Sequence, residues 1–503
     1  MEFVLNGRSV SVPSEGTLLS ALRDRLGIRS AKDGCAPQGQ CGCCTVLVDG
    51  EPRVACVTPV ARVAGRAVTT LEGVDDAVRQ KWADALCATG GSQCGFCTPG
   101  IIMRLLDVEP TKADVERSLL AHLCRCTGWQ TIVEAAVDRP QRRDRDLTAA
   151  SERARIEGGG TQRVSADVAL GLGGFADDSA PADSLVAILA PSGEWVIAST
   201  ISEARHVAGV VPGRRSTVGL TWPIDVPDDQ RGDFVRTLRT TWVEPAYLEP
   251  DAVWCTPGDE PVGPLANGGA FGGKTTSWLR DEARRLADEH GRSIRIVLSR
   301  EDVVRHGAKR PPLAAGVRAD GSGVVWVRAT TGVRKLVAAV APDWDVVEVD
   351  VPGPRTSLDP RAAVWAEIAA LRASVTDHDR VVAPNGSWAE AWSDGDAVRV
   401  RVGCGVALDD VTLRSYCIGA AHMGLGWVRS EGVAVDARGT VHDLTIRSFG
   451  VLRAVDTPSI HIEVVDDGSP ARNVSDAVFT AVAAAEWRRT GFAPRWPCTR
   501  DSR

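Results

Sequence analysis

Cysteine is the residue type with the clearest chemistry in this sequence, and it is concentrated in one region. Ten of the 14 cysteines lie between positions 35 and 126 of the 503-residue chain. Their confinement indicates a metal-binding module rather than a disulfide framework that cross-links the whole chain. Nine of these ten form two sets: Cys35, Cys41, Cys43, Cys44 and Cys56, followed by Cys94, Cys97, Cys124 and Cys126.

The first set has the features of a loop that binds a 2Fe–2S cluster. In plant-type ferredoxins, cysteines spaced C-x4-C-x2-C and a distant fourth cysteine hold two irons. Here Cys41 and Cys44 keep the two-residue step, whereas five residues separate Cys35 from Cys41. Three nearby glycines let the backbone approach the cluster closely. We predict Cys35, Cys41, Cys44 and Cys56 as ligands, with Cys43 as a small buried apolar residue.

The second set joins the pair Cys94 and Cys97 to the pair Cys124 and Cys126, and we predict a second 2Fe–2S cluster on these four thiolates. Zinc is the alternative for both sets because it also uses C-x2-C pairs, but the C-x-C pair and the loop glycines suit a cluster better. Disulfides are the other alternative. They are disfavoured because Met1–Gly7 lacks the features of a secretion signal, which predicts a cytoplasmic protein.

Composition narrows the class of protein further. The net charge of −7 gives no support for nucleic-acid binding. No apolar run approaches the ~18–20 residues of a membrane-spanning helix. The chain is long enough for three or four domains with substantial cores.

The elements around the first set predict a ferredoxin-type β-grasp domain over residues 1–72. Asn6-Gly7 and Asp49-Gly50 are strong turn signals for two hairpins. Between them, leucines at 18, 19, 22 and 26 recur at helical spacing, and Gly27 ends that helix.

Residues 73–138 have the pattern of a small helical bundle that holds the second set. Val74, Val78, Trp82 and Ala85 predict one apolar helix face. Further helices are predicted after Pro99, after Thr111 as an N-cap, and over residues 132–137. The polar, charged and glycine-rich segment 139–162 is interpreted as an interdomain linker.

The segments 34–46, 93–100 and 123–128 resemble the iron–sulfur part of the xanthine dehydrogenase / aldehyde oxidase family of molybdenum hydroxylases. The resemblance implies an α+β multidomain protein. It would contain a β-grasp 2Fe–2S ferredoxin-like domain at 1–72, a helical-bundle 2Fe–2S domain at 73–138, and an abbreviated, mixed α/β molybdopterin-binding-type region at 163–503. We call residues 163–503 the C-terminal portion.

Within the C-terminal portion, the stretch Gly-Gly-Ala-Phe-Gly-Gly-Lys at 268–274 resembles the family's loop that wraps molybdopterin. A structural turn is the alternative, and a nucleotide loop is disfavoured because the P-loop register is missing. The resemblance implies cofactor contacts at Gln93, Gly268, Gly269, Phe271, Gly272 and Gly273.

The departures from the family are equally informative. The C-terminal portion is much shorter than its family counterpart, and no Arg-Gly-x-Gly-x-Pro segment occurs in 313–415. Family glutamines that hold the cofactor appear as Tyr416 and Met423. The Gly-x-Gly-Glu motif of the catalytic base has no equivalent. Asp476 stands roughly at its place, either as a replacement base or as a turn or helix-cap residue. His422 is predicted to be a packed core histidine.

The resemblance implies oxidative hydroxylation of a small-molecule substrate, a purine, N-heterocycle or aldehyde, with a glutamate as base. Electrons would leave through the two clusters. No span is left for a flavin domain, so a flavin-containing or other acceptor subunit is expected. Two hypotheses follow. One is a working, abbreviated hydroxylase or a subunit of one; the other is a non-catalytic electron-transfer and scaffold subunit with a degenerate molybdenum module, whose catalysis lies on a further molybdenum subunit.

Overall fold

The computed structural model describes residues 1–140, 144–209, 218–263, 269–275, 277–376 and 380–499. The helices are α1 (Leu18–Ser20), α2 (Asp76–Thr89), α3 (Thr98–Leu105), α4 (Lys112–Ser118), α5 (Gln130–Asp138), α6 (Leu147–Gly158), α7 (Ala166–Ala169), α8 (Ala176–Ser179), α9 (Ile201–Ala208), α10 (Leu279–His290), α11 (Arg300–His306), α12 (Val333–Val340), α13 (Trp365–Ala373), α14 (Asp410–Arg429) and α15 (Ser475–Arg489).

The strands are β1 (Glu2–Leu5), β2 (Arg8–Ser11), β3 (Thr45–Val48), β4 (Glu51–Val54), β5 (Ala67–Thr69), β6 (Leu185–Leu189), β7 (Trp195–Ala198), β8 (Arg236–Thr240), β9 (Ala252–Cys255), β10 (Ile294–Val297), β11 (Leu313–Val317), β12 (Gly323–Arg328), β13 (Trp344–Val349), β14 (Arg380–Val382), β15 (Trp388–Ser393), β16 (Ala397–Gly403), β17 (Ser459–Val465) and β18 (Arg495–Trp496). In the described residues they form sheets of order β2-β1-β5-β3-β4, β7-β6-β10-β9, β13-β12-β11-β8-β18 and β14-β15-β16-β17.

The first sheet is the predicted β-grasp. Both expected hairpins are present, and β1 also pairs in parallel with β5, which comes from the end of this region. Asp49 and Gly50 have φ of 51° and 83°. A two-residue hairpin turn requires this left-handed conformation at both positions, because it matches the twist of the strands. The leucines Leu18, Leu19 and Leu22 are buried beneath the sheet.

The helical region contains the predicted bundle, with one correction to its packing. Pro99 lies in the first turn of α3, and Thr111 caps α4 by accepting a hydrogen bond from the Asp114 amide. In α2, Trp82 is buried, whereas Val78 is 37% exposed. The prediction that Val78 shares the buried face is wrong. The buried positions of α2 begin at Trp82 and continue through Ala83, Ala85, Leu86 and Ala88.

The segment interpreted as a linker also differs from expectation. Residues 147–158 form α6, which packs against α14. Arg153 and Glu157 are buried in α6 and form an ion pair of 2.5 Å. Glu157 also accepts hydrogen bonds from the backbone amides of Val474 and Ser475 at the start of α15. Arg153 and Glu157 therefore serve internal partners and are not part of a solvated tether.

Helices α14 and α15 form the centre of the C-terminal portion. They pack against each other along their lengths, and Trp427 of α14 stacks on Phe479 of α15 with ring centres 4.9 Å apart. Within the described ranges, no helix combines the length and apolarity needed to cross a bilayer.

A buried ion network fastens the ferredoxin-like region to the C-terminal portion. Arg23 contacts Asp177 and Asp178 at 2.6 and 2.7 Å, Lys32 also pairs with Asp178, and Arg295 lies 3.0 Å from Asp177. Burial alone would raise the pKa of Asp177, but the charges of Arg295 and Arg23 lower it below its usual range. The network therefore stays ionised and holds the first cysteine set at a defined place.

Candidate functional site

The first cysteine set is gathered by the loop between α1 and β3 and by the residues after β4. The Cys35 thiol lies within hydrogen-bonding reach of Cys41 and Cys56, and Cys56 also reaches Cys44. The amides of Gln40 and Cys41 point at Cys35 Sγ from 3.4 and 3.3 Å, and the Cys56 amide donates to Cys44 Sγ at 3.4 Å. Hydrogen bonds from Cys41 and Cys56 lower the pKa of Cys35, and the same hydrogen bonds raise the pKa of Cys41 and Cys56.

The second set is gathered by the start of α3 and the loop before α5. Cys94 Sγ and Cys126 Sγ are 3.5 Å apart, and Cys124 lies within hydrogen-bonding reach of Cys97 and Cys126. Hydrogen bonds from Cys126 and Cys97 lower the pKa of Cys124 well below its usual range. All four side chains are buried, at 1–6% exposure.

The chemistry of these donors fits iron–sulfur clusters. Each set offers four buried sulfurs, and amides aimed at sulfur are the hydrogen bonds that tune such clusters. In the part of the chain that the structure describes, no three His, Cys, Asp or Glu side chains are arranged around a single metal ion. A 2Fe–2S cluster makes a different demand, because it divides four thiolates between two irons. When bound, each cluster would accept and release one electron.

The two sets are in direct contact through the backbone. The amide of Leu123, next to Cys124, donates to the carbonyl of Cys41 at 3.0 Å. Cys43 is 1% exposed and is close enough to Cys124 for their charges to interact. A side chain at Gly100 in α3 would collide with the carbonyl of Gly42, so only glycine allows α3 to approach this closely.

The second set is joined to the C-terminal portion by Arg125, which lies between two of its cysteines. The Arg125 guanidinium makes a two-pronged ion pair with Glu431, with both contacts at 2.7 Å, and its Nε donates to the Pro245 carbonyl at 3.0 Å. Both side chains of the pair are less than 5% exposed. Because a buried charge without its partner is costly, this pair fixes the position of the loop.

We expect Glu431→Gln to lower the free energy of unfolding by roughly 3–5 kcal/mol, because it leaves the Arg125 charge uncompensated in the interior. Urea unfolding of the purified protein measures the change. The matched control is Asp456→Asn, which removes the exposed pair with Arg453 and should cost less than about 1 kcal/mol. Equal losses in the two variants would show that the Arg125–Glu431 pair is not buried as described.

On the side away from the first set, the second set faces Gln93. Gln93 Nε2 donates to the carbonyl of Cys126 at 3.1 Å and to Ser415 Oγ of α14 at 2.9 Å. Gln93 Oε1 is buried and has no hydrogen-bond partner. The predicted cofactor contact is thus located where the second set meets α14, with one polar atom free for another group.

The glycine-rich loop is packed against its own chain. Gly268 lies outside the described residues. A side chain at Gly269 would come within 3.1 Å of Arg125 Cβ, one at Gly273 would come within 3.0 Å of Pro245 Cβ, and one at Gly272 would collide with the carbonyl of Asp359. These glycines are therefore required by close internal packing.

Lys274, the cation of this loop, is also committed to internal partners. Its Nζ lies 2.9 Å from Glu249 Oε2 and 4.7 Å from the centre of the Tyr247 ring, and its side chain is fully buried. Burial raises the pKa of Glu249, while the charge of Lys274 opposes that shift. The lysine balances this carboxylate and does not point at an open anion site.

Phe271 lies at a cluster of side chains from three distant parts of the chain. The Arg361 guanidinium stacks over the Phe271 ring at 4.2 Å, and Tyr416 meets the ring edge-on at 6.3 Å. Arg361 Nε lies 3.3 Å from Asp476 Oδ1 without hydrogen-bond geometry, and Arg361 Nη1 donates to Met423 Sδ at 3.7 Å. The positions predicted for base, aromatic ring and cofactor contacts therefore do come together.

Asp476 is in the first turn of α15, but the N-cap is Val474 and no side-chain cap bond forms, so Asp476 is not the capping residue. Burial raises its pKa, and the charge of Arg361 lowers it in part. An aspartate that faces a buried arginine is held as the partner of that cation, which opposes a role as a free base. His422 is fully buried in α14 with Nε2 3.2 Å from the Leu452 carbonyl, and burial lowers its pKa to about 4, as expected of a core histidine.

Comparisons with known proteins agree with this geometry. Residues 70–137 match the family described as [2Fe-2S] binding domain. The chain is 39% identical over 143 residues to the small subunit of nicotine 6-hydroxylase of Paenarthrobacter nicotinovorans, and the match covers 27% of this chain and 86% of that protein. The chain belongs to the molybdenum hydroxylase family. It is therefore an oxidoreductase or a subunit of one.

Other molybdenum hydroxylases match over the same region. The chain is 40% identical over 144 residues to aldehyde oxidoreductase of Megalodesulfovibrio gigas, and this covers 26% of this chain but only 15% of that enzyme. For xanthine dehydrogenase of Drosophila subobscura the match covers 11% of the relative. A solved structure of aldehyde oxidoreductase from Desulfovibrio gigas aligns over 99% of both chains with a TM-score of 0.67 and 15% identity, which confirms the multidomain α+β fold.

Residues 361–364 have an unusual backbone. Ala362 and Val364 have φ of 52° and 71°. A left-handed backbone is unusual for alanine and a clear outlier for valine. Packing around Arg361 therefore holds this segment in a conformation that its own side chains disfavour.

Two further residues hold this segment in place, and no sequence motif indicated them. Arg310 forms a two-pronged ion pair with Glu367, at 2.9 and 2.8 Å, and donates to the Arg361 carbonyl at 2.6 Å. The Arg310 guanidinium also lies 4.1 Å from the Trp427 ring.

Proposed function

We propose that the protein is an electron-transfer subunit of a molybdenum hydroxylase that carries two 2Fe–2S clusters and has no complete hydroxylation centre of its own. The ligands of the first cluster are Cys35, Cys41, Cys44 and Cys56, and those of the second are Cys94, Cys97, Cys124 and Cys126. Molybdenum chemistry then lies on a partner subunit, and a flavin-containing or other acceptor receives the electrons.

The observation that carries this proposal is the hydrogen bond from the Leu123 amide to the Cys41 carbonyl, 3.0 Å long. It links a ligand of one cluster to the neighbour of Cys124, a ligand of the other. Both sets are otherwise enclosed by protein, so this contact offers the electron a short path of covalent and hydrogen bonds. Partners are expected because one relative, of which this chain covers 86%, is a small subunit by name.

Three observations in the C-terminal portion support the proposal that the chain has no complete hydroxylation centre. The glycines of the loop face their own chain, and Lys274 balances Glu249. Asp476, the replacement base, faces the charge of Arg361. A base in such a pair gives up part of its proton affinity to the cation, whereas base catalysis needs a free carboxylate within reach of the substrate or attacking group.

A working hydroxylase is the second candidate, and one observation favours it. Gln93 Oε1 and Arg361 Nε are buried without a hydrogen-bond partner. Buried polar groups normally find partners, so two such atoms near Phe271 and Tyr416 leave room for a polar ligand. In that case a pterin would bind at Gln93, Gly269, Phe271, Gly272 and Gly273, and Asp476 would act as base.

Metal analysis of the purified full chain tests the proposal. We expect about four irons per chain, an iron–sulfur absorbance that dithionite bleaches, and two distinguishable paramagnetic signals on reduction. Molybdenum should be far below one per chain. One molybdenum per chain would instead support the second candidate, and stoichiometric zinc without visible absorbance would exclude both.

A further inference from the structure

A cavity of about 260 Å³ lies between the ferredoxin-like region and the C-terminal portion. Its inner end is formed by Cys56, a predicted ligand of the first cluster, and by Ala36 of the cysteine loop, and both are 5% exposed or less. At its outer end are Pro37 and His206, which are exposed. The cavity therefore runs from the surface to a cluster ligand.

The walls of this cavity combine apolar surface with a few polar groups. Leu189, Ile188 and Ile201 supply apolar surface. Arg205, whose Nη2 contacts Asp33 at 2.8 Å, and Ser202 supply hydrogen-bond donors. Binding sites for small molecules commonly combine such apolar walls with a few polar groups that fix orientation.

Carboxyl groups close the opposite side. Glu301 Oε1 accepts a hydrogen bond from Gln38 Nε2 at 2.7 Å, and Asp302 Oδ2 accepts one from Ser299 Oγ at 2.6 Å. Both acids belong to α11, and Arg300 of the same helix donates to the carbonyl of Gly34 at 2.8 Å. The acidic wall is thus held rigidly against the loop that carries the first cysteine set.

We propose that this cavity binds a planar quinone of one or two rings as an electron acceptor for the first cluster. The inference rests on the proposed function, since it requires the first cluster to be present. A molecule that reaches Cys56 is separated from the iron by one ligand sulfur. The volume is below the range of about 300–1,000 Å³ usual for drug-sized ligands, so a small ring system fits better than a whole dinucleotide.

The reaction balances with what the protein and solvent provide. Two reduced clusters hold one electron each, and a quinone takes up two electrons and two protons to become the hydroquinone. The eight cysteines would hold two clusters that supply these two electrons one at a time, with Cys56 as the ligand at the cavity. Both clusters would end oxidised, and the protons would come from water at the open end of the cavity.

The test uses the full chain with both clusters, reduced by stoichiometric dithionite without oxygen and mixed rapidly with 2-methyl-1,4-naphthoquinone. We expect the rate of cluster reoxidation to saturate with quinone concentration. His206→Trp, which narrows the outer end, should lower the apparent second-order rate constant by about tenfold, equivalent to about 1.4 kcal/mol. Val207→Trp is the matched control, because Val207 neighbours His206 in α9, is 69% exposed and does not line the cavity.

Two further measurements separate this proposal from its alternatives. Oxidation by ferricyanide, which needs no cavity, should be the same in all three proteins. Addition of the hydroquinone to the reduced wild-type protein should change the paramagnetic signal of the first cluster and leave that of the second unchanged. A rate that rises linearly with quinone and is equal in both tryptophan variants would overturn the proposal. A protein without cluster signals before mixing would instead refute the proposed function.

Discussion

Cys44→Ala is expected to reduce the iron content from about four to about two atoms per chain and to remove one of the two paramagnetic signals. Cys44 belongs to the first set, where its sulfur accepts a hydrogen bond from the Cys56 amide at 3.4 Å. Alanine cannot bind iron, and a 2Fe–2S cluster with three thiolates is not held. The loss should be confined to the first cluster, because the second set has four ligands of its own.

Cys43→Ala is the matched control. Cys43 and Cys44 are adjacent and are 1% and 2% exposed, so the two substitutions remove the same buried volume. Cys43 instead lies against Cys41 with its sulfur 3.8 Å from that residue's carbonyl. Its replacement should leave both clusters in place. Loss of iron in Cys43→Ala with retention in Cys44→Ala would show that the register of ligands is shifted by one residue.

The second large effect concerns catalysis. The isolated chain is expected to show little or no hydroxylase turnover with purines or aldehydes when a dye replaces the natural acceptor. General base catalysis commonly contributes about 10²–10⁴ in rate, and Asp476 faces the Arg361 charge at 3.3 Å. The clusters should still accept electrons from dithionite and pass them to the dye, which serves as the positive control in the same assay.

Two outcomes of that assay lead to different conclusions. Robust turnover by the isolated chain that disappears in Asp476→Ala would contradict the prediction and identify Asp476 as the catalytic base. Turnover that requires a second subunit, and that survives Asp476→Ala, would place the chemistry on the partner. The Arg361→Gln variant sharpens the first case, because removal of the paired charge should raise the pKa of Asp476 and shift the pH dependence of any turnover upward.

The sequence alone predicted the local structure of residues 1–138. The predicted cysteine ligands follow short spacings such as 41/44, 94/97 and 124/126, and the neighbouring hairpin turns and helix caps are likewise local. As predicted, Asp49-Gly50 forms a hairpin turn, Pro99 lies in the first turn of a helix, and Thr111 is an N-cap. Local chemistry of this kind depends on residue type and spacing, so it can be recognised before any fold is known.

Only the tertiary structure showed which side chains of the C-terminal portion contact each other. Phe271, Arg361 and Asp476 come from separate parts of the chain, and no spacing rule predicts their contact. A glycine pattern also does not show which atoms lie where a side chain would be. At Gly269, Gly272 and Gly273 those atoms belong to other parts of the same chain.

The misread linker segment has the same physical origin. The charges of α6 resembled a solvated tether because the distant partners of the buried ones, such as the start of α15, are more than 300 residues away. Ala362 and Val364 likewise adopt a backbone conformation that their side chains disfavour. Packing from distant elements overrides such local preferences, and the free energy that does so is visible only in the assembled core.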